Sequence, residues 1–126
     1  MDYDDRKKQI ANTLEKIDDI YKDICHTDYA DADCKLNKEV TDIVTIVTEF
    51  LKMSGLLLKY QIEIPESVIL TQLHNLLDAF ENKDYVMLAD TLHYEISETL
   101  LFYKEILDEL KKENIYLQTC DIIDII

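Results

Sequence analysis

With one glycine and one proline among 126 residues, this chain lacks the residues that tight β-turns require, which excludes most sheet folds. Its length fits a single domain over residues 1–126, and its hydrophobic content of 48% excludes a disordered chain. A formal net charge of −14 argues against binding nucleic acid or an anionic membrane surface, and it would steer a basic partner.

The first predicted helix runs from about Asp2 to Cys25. Its apolar residues follow the alternating three- and four-residue spacing of a heptad seam. The next stretch, His26 to Leu36, contains three aspartates and shows no apolar period. We therefore predict that it forms the longest loop of the chain, about ten residues.

The segment from Asn37 to Tyr60 gives conflicting signals. Eight of its residues between 40 and 48 are β-branched, which favours a strand by propensity. Its polar residues, however, recur at 41, 42, 45, 48, 49 and 52 with helical spacing. We therefore predict a second helix that is loosened or kinked at Gly55. A short strand that pairs residues 60–64 with residues 115–119 stays open as a smaller exception.

The third helix is predicted from Pro65 to Glu81, because proline suits a first helical turn. Residues 81–84, ENKD, should form a tight turn, with Asn82 left-handed and Asp84 as the next N-cap. The fourth helix is then predicted from Asp84 to Lys112. Its seam continues without a break over the following residues: Tyr85, Ala89, Leu92, Ile96, Thr99, Tyr103, Ile106 and Leu110.

Four such helices with short connections predict an all-α fold, an antiparallel four-helix up-down-up-down bundle with a short C-terminal tail. The fourth helix outruns the third by about 18 Å, so some apolar surface should remain uncovered. We expect this strip either to bind a partner or to be covered by the chain's own tail. The predicted partner-binding residues lie on the strip, on the facing helix and in the tail: Tyr103, Ile106, Leu107, Leu110, Phe50, Ile122 and Ile123.

The stretch ENKDYVMLADTLHYEISETL, residues 81–100, concentrates acidic and aromatic side chains and His93. Seam spacing points Leu92 and Ile96 into the core and places Asp90, Thr91 and Glu95 away from it. It leaves His93 and Tyr94 at the edge of the apolar stripe. We interpret this stretch as an ordinary amphipathic helix, since no spacing enforces a nucleophile beside an acid–base pair.

Metal-ligating residues are present only as pairs. His74 with Asp78, and Asp90 with His93, share helix faces, but the two Glu-x-x-His sequences of dinuclear bundles are missing. A calcium frame from Asp28 fails because alanines occupy its third and fifth positions. Three cysteines without a CxxC pair predict neither a disulfide framework nor a zinc site. We therefore expect no catalytic residue, no cofactor and no metal.

Residues 79–95 carry the pattern A-x-E-x-K-D-Y-x-x-L-A-D-x-L-x-Y-E. This stretch resembles uncharacterised helical proteins of Gram-positive bacteria, and the resemblance implies a bacterial helical bundle with no activity attached. The stretch is also loosely similar to the helical hairpin of flagellar and secretion export chaperones, in which a short polar turn joins two amphipathic helices.

The expected function is that of a non-enzymatic, cytoplasmic protein-interaction module, chaperone- or adaptor-like, that binds a helical or basic protein partner through exposed apolar surface. An acidic inhibitor or immunity-type protein that covers a basic site is the alternative. A metal- or small-ligand-binding bundle is a third. The sequence also leaves a homo-oligomer open.

Overall fold

The computed structural model describes residues 3–112 of the chain, and these fold into a helical bundle. No strand occurs among these residues, so the predicted all-α bundle is confirmed. The helices are α1 (Tyr3–Cys25), α2 (Tyr29–Lys52), α3 (Ser54–Lys59), α4 (Glu66–Asn82), α5 (Tyr85–Asp90) and α6 (Ser97–Lys112), with a π-helical segment (Thr91–Ile96) that joins the last two.

Helix α1 packs against both α2 and α6. Its ion pairs with α2 join early residues of one helix to late residues of the other, which makes the two antiparallel; the pairs are Arg6–Glu49, Lys16–Glu39 and Asp23–Lys35. Ion pairs to α6 follow the same order, with Lys7 to Asp108 at 2.6 Å and Lys111 to Asp4 at 2.8 Å. Helix α1 therefore covers α6 as far as its C-terminal turn.

The β-branched run at 40–48 is helical, as its polar period predicted. Ile43, Ile46 and Val47 are buried in the common core, so tertiary burial outweighs strand propensity here. The predicted second helix is interrupted at Met53, between α2 and α3, and not at Gly55. Residues 115–119, the partner of the strand left open at 60–64, lie outside the described residues, as do Asp2 and the tail.

The prediction of a long loop at His26–Leu36 is wrong, because α2 already begins at Tyr29. Thr27 takes a left-handed conformation with φ 58°, and the Asp28 amide donates to the Asp23 carbonyl at 2.8 Å, which reverses the chain in three residues. Alanines and aspartates both suit a first helical turn, and only Ala32 and Leu36 are buried there. Because so few residues of these turns are apolar, the sequence shows no helical period there.

The predicted apolar strip on the last helix is not exposed. All five of its described residues are buried in the core: Tyr103, Ile106, Leu107, Leu110 and Phe50. The strip was predicted because the third helix is too short to cover it, whereas in the structure α1 runs along the whole of α6. Phe50 stacks on Tyr103 with ring centroids 4.5 Å apart. Ile122 and Ile123 lie outside the described residues.

Burial of Tyr103 makes the fold sensitive to alkali. Desolvation raises the pKa of its hydroxyl to about 12, against 10.0 for an ordinary tyrosine. Because the folded pKa is the higher one, this stabilisation is complete below pH 10 and is lost as the pH rises through about 12. We expect Tyr103→Phe to remove about 2 kcal/mol of this loss, measured by urea unfolding across that pH range. An identical pH profile in the variant would contradict the assignment.

None of the helices within residues 3–112 is long and apolar enough to cross a membrane. The same residues contain no group of three or more histidine, cysteine, aspartate or glutamate side chains placed to hold a metal ion. His74 and Asp90 are exposed, and no ligand set joins them.

Candidate functional site

The hairpin of α4 and α5 turns on two residues. Lys83 takes the left-handed conformation at φ 53°, one position later than predicted for Asn82. Asp84 caps α5 as predicted, and its side chain accepts a hydrogen bond from the Met87 amide at 3.1 Å. This tight reversal sets the start of α5 beside the end of α4.

Contacts from α2 hold the base of this hairpin. The ring of Tyr29 stacks on Tyr85 with centroids 4.1 Å apart. The Tyr85 hydroxyl donates to Asp33 Oδ2 at 2.8 Å, and Lys83 Nζ pairs with the same oxygen at 3.1 Å. The turn therefore has a fixed position relative to α2.

A π-helical segment at Thr91–Ile96 interrupts the fourth predicted helix, which the sequence did not indicate. Leu92 and Ile96, at its second and last positions, are both buried, so the segment contributes to the core. Ser97 stabilises it, since its hydroxyl donates to the Leu92 carbonyl at 2.8 Å.

The wider turn changes which side chains face outward. Leu92 and Ile96 are buried as predicted, but Thr91, expected on the surface, is buried as well. Asp90 and Tyr94 face solvent, with Tyr94 63% exposed. Turns of this kind occur frequently at functional sites, which makes the adjoining surface the first to consider.

A groove of about 740 Å³ lies on this surface, between α4 and the α5–π segment. We call it the Tyr94 groove. Its apolar wall consists of Val86, Met87 and Tyr94, of which Val86 is 75% exposed. Its other lining residues are Asp84, Asp90, Glu95, Asn75 and Thr91. Three of the eight lining residues are therefore acidic, and none is basic.

Tyr94 contacts an aromatic stack that joins the π-helical segment to α1. The His93 ring lies flat on Tyr21 of α1 with centroids 4.1 Å apart, and Tyr94 meets the edge of His93 at 4.6 Å. The Cys25 side chain, followed by Tyr94, raises the pKa of the Tyr21 hydroxyl to about 12. Tyr21 is therefore neutral at physiological pH. The exposed ring of Tyr94 is thus held against α1 by defined contacts.

The sequence drew attention to the stretch that forms this groove, but its spacing predicted only an ordinary amphipathic helix. His93 is half-buried at the edge of the stripe, as predicted. Val86 and Met87 were not predicted as site residues. Both are apolar, and both fall outside the seam spacing. That mismatch is the signal that identifies them.

A family model described as "Domain of unknown function (DUF8042)" matches residues 5–106. The chain belongs to this family. The DUF8042 match spans nearly all of the described helices and includes the whole Tyr94 groove. Its lack of an assigned function agrees with the uncharacterised group expected from residues 79–95. No curated protein and no solved structure gives a significant match.

Proposed function

We propose that this chain is a non-enzymatic protein-interaction module that binds a basic, amphipathic segment of a partner protein in the Tyr94 groove. One observation carries the proposal: three exposed apolar side chains line a groove whose charged residues are all acidic. The proposed role is that of a cytoplasmic adaptor or chaperone in a bacterial cell.

The chemistry of the groove indicates the kind of partner. Tyrosine and methionine are enriched at interfaces, because both supply large contact area and methionine adapts its shape. Lysine and arginine can lay their aliphatic stems on such a wall while their charged ends reach Asp84, Asp90 and Glu95. An amphipathic segment that carries leucine-like residues and basic residues on its bound side fits both requirements.

A second candidate function follows from the same acidic rim and the net charge of −14. It is that of an acidic inhibitor that covers a basic site on its target. Ionic strength separates the two functions. A charge-steered inhibitor loses its association rate steeply as salt rises, whereas binding on the apolar wall keeps most of its affinity.

Binding of a designed peptide tests the proposal. We expect a helical peptide of leucine and lysine to bind the protein, and Tyr94→Lys to weaken this binding about tenfold or more, because a cationic side chain replaces the central aromatic contact and repels the lysines of the peptide. Isothermal titration calorimetry measures the dissociation constant. A peptide of the same pattern with glutamate for lysine should not bind.

Leu77→Lys is the matched control. Leu77 is also a partly exposed apolar residue, on α4, but it does not line the groove. This variant has the same added charge and should bind the peptide as the wild type does. Equal loss of binding in both variants would point to general repulsion and would contradict a site at Tyr94.

A further inference from the structure

A second recess lies at the other end of α4. It has a volume of about 420 Å³ and is lined by residues of α3, of the α3–α4 connection and of the first turn of α4. We call it the Leu58 recess, after an apolar side chain that is 58% exposed. Glu63 and Glu66 are its charged residues, and no basic residue lines it. Its chemistry therefore repeats that of the Tyr94 groove.

Helix α4 connects the two recesses. Ser67 lines the first and Asn75 the second, a separation of about 12 Å along the helix axis. Val68, which is 52% exposed, stands one heptad before Asn75 and so projects from the same side of α4. An apolar side chain thus lies on the path from one recess to the other.

We infer that a single basic amphipathic helix of a partner protein, about four turns long, lies along α4 and fills both recesses at once. Its apolar residues would contact Leu58, Val68 and Tyr94, and its basic residues would face the carboxylates at each end. This inference rests on the proposed function. It adds the length of the bound segment and its orientation along α4.

Charge selects this occupant over two others. Residues 113–126 of the chain contain three acidic residues and no lysine or arginine, so the chain's own C-terminal segment would bring acid against acid. A second copy of the chain, with its net charge of −14, meets the same repulsion. A basic helix alone complements both recesses.

Variants at the far recess test the inference. The probe is the leucine–lysine peptide, about 18 residues long, and its dissociation constant is measured by calorimetry. We expect Val68→Lys and Leu58→Lys each to weaken binding about tenfold, because each replaces an apolar contact with a charge that repels the lysines of the peptide. Leu70→Lys is the control, because Leu70 is 47% exposed on the same helix but points about 200° away from Val68. It should leave binding unchanged.

A second peptide of the same length separates spanning from local binding. In it, the leucines and lysines of one half are replaced by alanine and glutamine, which keeps the helix but leaves only enough contacts for one recess. This peptide should bind more weakly and should no longer respond to Leu58→Lys. Thermal unfolding followed by circular dichroism checks that each variant is folded.

The outcomes separate the two claims. Unchanged affinity in Val68→Lys and Leu58→Lys, with loss in Tyr94→Lys, would overturn the spanning helix and leave the proposed function standing. No binding of the full peptide to the wild type would overturn both. Stronger binding after deletion of residues 114–126 would show that the chain's own segment competes for the path, and would overturn the claim that charge excludes it.

Discussion

Leu92→Ala is expected to destabilise the fold by about 2–5 kcal/mol, because it removes a buried side chain and leaves a cavity. Leu92 is fully buried in the π-helical segment, where it packs in the common core. Urea unfolding measures the change in the free energy of unfolding.

Asp90→Ala is the matched control two positions earlier. Asp90 is exposed and lines the groove, so its replacement should change the free energy of unfolding by less than about 0.5 kcal/mol. A larger cost for Asp90→Ala than for Leu92→Ala would mean that the segment is held by a polar network rather than by its core.

Arg6→Ala is expected to cost about 3 kcal/mol, since it leaves Glu49 without its ion-pair partner between α1 and α2. The two side chains are only 12% and 28% exposed. Within residues 3–112, the Arg6 guanidinium is the one polar partner recorded for the buried Glu49 Oε2, so it compensates the charge of that carboxylate. The residual exposure of Glu49 places the effect at the lower end of the range for buried pairs.

The double variant Arg6→Met/Glu49→Met checks the cause of that loss. Replacing both charges with apolar side chains removes the unpaired carboxylate, so most of the lost stability should return. A double variant as unstable as Arg6→Ala would show that packing of the arginine stem, and not charge, is what matters.

Sequence periodicity predicted the helices where burial is regular. It identified α2 through the β-branched run, since Ile43, Ile46 and Val47 follow one another at spacings that only a helix places on one side. It failed at Tyr29–Leu36, where Ala32 and Leu36 are the only buried residues and give no visible period. A small residue at a close contact is buried without being strongly hydrophobic.

The groove was beyond sequence reasoning for a different physical reason. The directions of the side chains after α5 depend on the π-helical segment, which the sequence did not indicate. Seam counting on a regular helix therefore placed Thr91 outside and could not bring Val86, Met87 and Tyr94 to one wall with Asn75. The predicted strip failed because α1, and not the third helix, covers α6.

Mapping of backbone amide shifts tests the central claim most directly. The protein is labelled with nitrogen-15 and titrated with the leucine–lysine peptide while its NMR spectrum is recorded. Binding in the Tyr94 groove predicts that the largest shift changes fall on residues 84–95 and on the Asn75 side of α4, with little change at Leu77 and in α2. Shifts spread evenly over the acidic surface, or centred away from residues 84–95, would contradict a specific groove and with it the proposed function.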